Sequence, residues 1–312
     1  MNRSSKYLSN IPLLAGLASV LWVVDGILRR DITASVHPLT IVFYEFLVGT
    51  LLIIPIAGTS FFKEKPTIKE LLVVTALSIL SGPVAVGLFT YALFQGGTTS
   101  FSSIYVLQKL QPLFAVFFIW IVSKRKLHSH FFAYAFLALA GTFLLITSQS
   151  LITMQWQLSS MLGNLAALGA AFAWGVSALF SYSALKENSH QFVTISRFFW
   201  GCLFSFLGLL FFVHQPLIHV LTLPQPKDAG FVIVLGVISA LISFIIYFKA
   251  LQEASSLTTT FLELLYPLLA LVADLAIYHH VPDFLQLLGM TTILFATIKI
   301  NRLHNFTDLN EI

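Results

Sequence analysis

The sequence predicts an all-α integral membrane protein, with ten transmembrane helices arranged as two inverted five-helix repeats around a central cavity. Three observations carry that prediction: an apolar composition, ten apolar stretches of spanning length, and motifs that recur between the two halves. Of the 312 residues, 57% are hydrophobic and 10% charged, with a mean hydropathy of +0.89. A water-soluble domain of that make-up would expose more apolar surface than its few polar side chains can cover.

A bilayer core takes roughly 20 apolar residues per helix. Cutting the chain at its polar and Gly/Pro punctuation gives ten such stretches: 11–28, 39–57, 68–93, 103–123, 131–147, 158–183, 192–213, 229–251, 257–278 and 284–300. The first could pass for a signal peptide, but it lacks a small-residue cleavage site and nine comparable stretches follow. No soluble domain fits between them, because the longest connections are near 59–67 and 214–228.

The sequence pI of about 9.1 does not read as nucleic-acid binding. The basic residues stand in short clusters between apolar spans, as loop anchors do. With the N-terminus inside, twelve Lys and Arg fall on the cytoplasmic side, among them Lys63, Lys65, Lys124, Arg125 and Lys126. Three fall outside (Arg29, Arg30 and Lys227), while Lys109 and Arg197 lie within spans. The expected location is the cell inner (plasma) membrane, multi-pass, with both termini cytoplasmic. A single cysteine, Cys202, excludes an intrachain disulfide.

The halves read as copies, 1–150 and 151–312. At an offset of 152, ASVLWVVDGIL (18–28) lies over AAFAWGVSALF (170–180), pairing Trp22 with Trp174, and YEFLVG (44–49) lies over SRFFWG (196–201), pairing Glu45 with Arg197. At an offset of 155, YVLQKLQPLFA (105–115) lies over TFLELLYPLLA (260–270), pairing Pro112 with Pro267 and Gln108 with Glu263. An odd number of spans per copy forces the copies to run in opposite directions, a pattern that recurs in transporters.

With the repeat, the SRFF step opening the seventh span, the passage YFKALQEASSLTTTFLELLYPLLALV and the terminal LQLLGMTTILFATIKI, the chain resembles the drug/metabolite transporter superfamily in its EamA-like bacterial branch. The likeness covers essentially the whole chain. It implies polar groups of the fourth and ninth spans directed at the bundle centre. Two places depart from the pattern. Where relatives often carry a Gly-Glu-Arg-Leu step after those spans, this chain reads SKRKLH (123–128) and YHHVPD (278–283), and Glu45-Phe46 replaces the Arg-Phe step in the first half.

Charges inside spans cost about 2.5 to 3.5 kcal/mol each at a helix centre on insertion scales, so they face a bundle interior or a wet cavity. Glu45 and Lys109 stand at one depth from the outer face and are expected to pair. Arg197 and Glu263 stand at a similar depth from the inner face and form the second expected pair. Pro112 and Pro267 each deprive the carbonyl four residues earlier, that of Gln108 or Glu263, of its donor. They are therefore the expected hinges, tolerated where they line protein or water. Gln111 and Tyr266 flank the same prolines. Trp22 and Trp174 lie well inside their spans, where they either stack on a substrate or pack the core. Asp274 is a candidate proton site.

Asp25 with Arg29, and Lys249 with Glu253, are read as local helix pairs at the rims. Gly163, Ala167, Ala171 and Gly175 form a small-residue packing ridge. His128, His130, His279 and His280 are read as interfacial rather than metal-binding, and the 30 phenylalanines as lipid-facing surface and packing.

The reading that gathers these features is a secondary transporter working by alternating access. Its substrate is expected to be a small polar or zwitterionic metabolite, an amino acid or an S-adenosylmethionine-like compound, driven by a coupling proton or a counter-substrate. An exporter of amphipathic or cationic drugs by proton antiport is the first alternative, a membrane-embedded lipid-modifying enzyme the second. No HExxH, GxSxG or Walker A pattern speaks for an enzyme. No cofactor is read from the sequence, and a channel or receptor is disfavoured by the repeat.

Overall fold

The computed structural model describes residues 11–57, 64–95, 99–123, 130–154, 158–238 and 256–303. Among them every regular element is helical: α1 (Ile11–Ile32), α2 (Pro38–Ala57), α3 (Ile68–Ile79), a π-helical turn (Leu80–Val84), α4 (Ala85–Phe94), α5 (Phe101–Gln108), α6 (Gln111–Ser123), α7 (His130–Thr153), α8 (Leu158–Glu187), α9 (His190–Phe212), α10 (Leu217–Leu221), α11 (Pro226–Leu235), α12 (Ser256–Ala276) and α13 (Phe284–Leu303). Seven helical segments among the described residues are long and apolar enough to cross a membrane, with α3 to α4 and α5 to α6 each counting as one. Most of the eighth expected span, with Lys249 and Glu253, lies outside the described residues, as does His128.

Helix starts follow their local sequence. Thr67 and Glu70 close a capping box on α3: the Glu70 N–H donates to Thr67 Oγ1 at 3.3 Å, and the Thr67 N–H to Glu70 Oε2 at 2.8 Å. Asp283 and Gln286 do the same for α13, at 2.8 and 3.0 Å. Ser189 caps α9 by accepting from the Phe192 N–H at 3.2 Å.

The helices pack in recurring pairs: α7 on α13, α2 on α9, α1 on α12, and α8 on α4, α5 and α6. The expected ridge on α8 is a packing face. Ala167 and Ala171 are fully buried, and a β-carbon on Gly175 would stand 2.6 Å from the Gln111 carbonyl oxygen. Outward, Phe136, Phe143, Phe211 and Phe212 are exposed, an apolar belt that suits acyl chains rather than water.

Candidate functional site

The fourth span is broken. α5 begins with the Ser103 N–H donating to Ser100 Oγ at 3.2 Å, while the N–H groups of Phe101 and Ser102 donate to the two carboxylate oxygens of Asp274 on α12, at 3.0 and 2.7 Å. It stops at Lys109 and Leu110, whose N–H groups reach back only three residues, to Val106 and Leu107, at 2.9 and 3.1 Å. α6 starts at Gln111, so Pro112 sits in a first turn where its missing N–H costs nothing. The discontinuity expected at Pro112 is therefore a tightened turn at Lys109 and Leu110, just before it. Pro267, by contrast, lies within continuous α12.

Lys109 occupies the C-cap of α5, where a cation complements the carbonyl end of a helix. Its Nζ stands 5.0 Å from the centre of the Tyr266 ring. Gln108 is buried, and its Oε1 accepts from the Tyr266 hydroxyl at 3.0 Å. The Gln108 Nε2 is also buried and has no hydrogen-bond partner among the described residues.

An aromatic wall surrounds that break. The Tyr105 ring centre lies 4.6 Å from those of both Tyr266 and Phe101, and Trp22 meets Tyr266 edge-on at 6.1 Å. The Tyr105 hydroxyl donates to the Trp22 carbonyl at 3.0 Å. Gly26 makes this approach feasible, since any β-carbon there would collide with the Tyr105 hydroxyl. Phe89 continues the wall, 5.7 Å from Tyr105 and 5.9 Å from Trp174. Both expected tryptophans thus join one aromatic cluster with Tyr266.

The buried charges arrange themselves differently from the expectation. Among the described residues, the ion pair of Glu45 within 4 Å is with Arg29 Nη2, at 2.8 Å, rather than with Lys109. The physical reason is the length of α1. It runs past residue 28 to Ile32, and the short connection to Pro38 returns α2 beside it, bringing Arg29 inward instead of leaving it in a loop. The local Asp25–Arg29 pair forms as expected, with contacts at 2.9 and 3.3 Å, but in the interior, where Arg29 is 1% exposed. Arg29 Nη1 completes the cluster by donating to Thr90 at 3.0 Å.

Arg197 holds the π turn. Its Nε donates to Ser81 Oγ at 3.1 Å and its Nη2 to the Ser81 carbonyl at 3.2 Å. The Trp174 Nε1–H donates to the same carbonyl at 3.2 Å. The side chain of Glu263 lies outside the described residues, so its expected pair with Arg197 does too. Gly82 leaves helical geometry at φ −96° and ψ −109°, directly before Pro83, and this frees the Ser81 carbonyl for side-chain donors. The run SGPV (81–84), a Gly-Pro step inside an apolar span, is the sequence signal for this turn.

Asp274 is fully buried, with both oxygens committed to the start of α5. Its position is that of a cap tying α12 to α5. Gln111 lends its carbonyl to the close contact with Gly175.

Comparison with known proteins places this geometry. A curated riboflavin transporter of Fusobacterium nucleatum is 25% identical over 297 residues, 94% of this chain and 97% of that protein. An uncharacterized transporter of Archaeoglobus fulgidus is 22% identical over 284 residues, 90% of this chain and 93% of that one. Another from Clostridium kluyveri is 21% identical over 266 residues, 85% and 83%. A crystal structure at 18% identity shares the fold with a TM-score of 0.60, covering 95% of this chain and 99% of that one. The model of the EamA-like transporter family matches residues 10–147 and again 161–302. Matched over both regions, the chain belongs to the EamA-like transporter family and is a multi-pass membrane transporter.

Proposed function

We propose that the chain carries a small polar metabolite bearing a planar ring across the inner membrane by alternating access, with riboflavin the first compound to test. The observation that carries the reading is the wall of Trp22, Tyr105 and Tyr266 set against the break in the fourth span. Aromatic faces stack on planar rings, and a broken helix supplies backbone polar groups at membrane depth only where it lines protein or a water-filled cavity. The riboflavin transporter among the relatives supports the same class. S-adenosylmethionine also carries an aromatic ring and stays within it, whereas an aliphatic amino acid does not.

Two five-span halves of opposite direction, 1–150 and 151–312, complete the proposal. The family matches in duplicate, and the helix pairs exchange under such a swap. α2 with α9 and α7 with α13 join equivalent spans, while α1 with α12 maps onto α8 with α5 and α6. With Arg29 inside the bundle, the excess of loop Lys and Arg on the cytoplasmic side grows, which supports cytoplasmic termini.

Uptake into proteoliposomes of labelled riboflavin, S-adenosylmethionine and leucine, with and without preloaded counter-substrate or a proton gradient, tests this. Saturable uptake of one or both ring compounds and none of leucine is expected. Leucine uptake alone would overturn the ring-bearing class.

A further inference from the structure

We propose that a polar cavity where α5, α8 and α13 begin and α7 ends binds one dehydrated monovalent cation of sodium's size, held by neutral oxygens from both halves of the chain. The cavity shares no side chain with the aromatic wall. Its role rests on the transporter reading, to which it adds a coupling ion, and it does not depend on a ring-bearing substrate.

The lining is Thr99, Ser100 and Ser103 at the start of α5, Ser148 near the end of α7, Asn164 on α8 and Gln286 on α13. The cavity volume is about 10 Å³, room for a single water-sized particle. Gly163 makes the enclosure possible. Any β-carbon there would collide with Thr99 Oγ1, so glycine lets α8 bring Asn164 against the start of α5. Thr99, Ser103, Ser148, Asn164 and Gln286 are each 5% exposed or less, and hydroxyls and amides leave bulk water at a cost unless a partner answers them.

What the lining offers is lone pairs. The Thr99 hydroxyl donates to the Ser160 carbonyl and the Ser148 hydroxyl to the Leu145 carbonyl, both at 3.3 Å, and the Ser100 hydroxyl donates to Ser103 Oγ. A hydroxyl that has given its proton away keeps its acceptor lone pairs. Asn164 Oδ1 lines the same cavity, buried and without a hydrogen-bond partner among the described residues. Oxygen ligands of this kind suit hard cations. With no carboxylate in the lining, a single charge fits better than two.

Helix starts ordinarily favour anions, yet two of the three here are already answered by carboxylates. Asp274 accepts from the N–H groups of Phe101 and Ser102, directly after Ser100, and Asp283 accepts from the Gln286 N–H at 2.8 Å. Asp274 is fully buried. Its ion-pairing group within 4 Å among the described residues is His280, at 3.9 Å and charged only when protonated. The charges hydrogen-bonded next to the lining are therefore negative, which favours a cation over chloride. Asn164 and Gln286 come from the second half and the other ligands from the first, so occupancy senses how the halves sit, as a coupling ion must.

Purified full-length protein in nanodiscs, melted in sodium chloride, choline chloride and sodium gluconate at one ionic strength, tests the site. Sodium as either salt should raise the Tm saturably by at least about 3 °C over choline, because a ligand that binds the folded state stabilises it by mass action. Asn164→Leu removes the oxygen at similar volume. It should abolish the sodium shift while its Tm in choline stays at or above the wild type, since an unanswered buried acceptor has gone. Asn164→Asp adds a charge to the lining and should tighten sodium by about tenfold or more. Should Asn164→Leu fail to fold, Ser148→Ala, which loses one ligand, must still weaken the sodium response. Whichever labelled compound the proteoliposomes take up should then enter faster with an inward sodium gradient, and Asn164→Leu should lose that acceleration.

Equal Tm in sodium and choline, the mark of an ordered water only, overturns the proposal. So does a shift that follows chloride, or a sodium shift that survives both Asn164→Leu and Ser148→Ala. Uptake indifferent to the sodium gradient overturns the coupling role. A sodium shift without uptake of ring compounds leaves this site in place and removes the ring-bearing class alone; absence of the shift alongside ring-compound uptake does the reverse.

Discussion

Gly141 on α7 and Gly289 on α13 meet backbone to backbone. A β-carbon on Gly289 would stand 2.8 Å from the Gly141 carbonyl oxygen and 2.9 Å from the Leu145 nitrogen. At the centre, α1 and α2 meet instead through the tips of Arg29 and Glu45, and α9 meets the π turn through Arg197. In the first region two main chains touch and no side chain can rearrange to relieve a misfit. In the second, long side chains bridge the helices through their terminal groups. A transporter needs both kinds of contact. Motion is expected to fall between helices joined by side-chain tips, while the α7–α13 pair stays fixed as the frame.

The largest effect should come from breaking the frame. Gly289→Val puts a branched side chain where the nearest atoms are backbone, so the helices must part. The expected outcome is loss of folded protein, beyond about 4 kcal/mol, read as disappearance of the monodisperse peak when detergent-solubilised membranes are chromatographed. Gly208→Val is the control, because a β-carbon there meets nothing within 4 Å, and it should express like the wild type. Equal behaviour of the two would remove the distinction between frame and mobile contacts.

Next in size is Arg29→Met, which strips the central guanidinium and leaves Asp25 and Glu45 buried against each other. Removing one partner of a buried ion cluster costs about 3 to 5 kcal/mol, because the charges left behind are uncompensated. A lowered Tm in a thermal melt of the purified protein would register it. Adding Glu45→Gln to Arg29→Met should recover part of the loss by deleting one stranded charge. If the double variant were less stable than Arg29→Met alone, the three groups would not form one electrostatic unit.

The contrast also explains what the sequence disclosed. Spans could be read because hydropathy acts locally and at lipid scale: all ten predicted starts fall within three residues of a helix start. The ridge from Gly163 to Gly175 could be read because small residues four apart share one helix face. Partners of buried charges could not be read. Depth counting put Glu45 and Lys109 level, yet the choice between Lys109 and Arg29 turned on whether α1 frays at residue 28 or continues to Ile32, and one helical turn of charged residues gives no hydropathy signal for that. Asp274 escaped for a related reason. Its ligands are backbone N–H groups of α5, which have no residue identity and so leave no trace in side-chain patterns.

The smallest effect is expected at His37, in the connection that brings α2 back beside α1. His37 stands at the N-cap of α2, where its Nδ1 accepts from the Leu39 N–H at 3.3 Å. That contact requires a deprotonated Nδ1, and partial burial of the ring lowers its pKa from the usual 6.5. With the folded state binding fewer protons than the unfolded one, stability rises with pH between the depressed value and 6.5 and is lost as pH falls through that window. Much of the ring faces solvent, which keeps the effect small. His37→Asn preserves an N-cap acceptor without a titrating group. It should match the wild-type Tm at neutral pH and decline less on mild acidification. An identical decline in both proteins would place the acid sensitivity elsewhere, and would return the α1–α2 connection to the rigid frame rather than to the part of the bundle that responds to its surroundings.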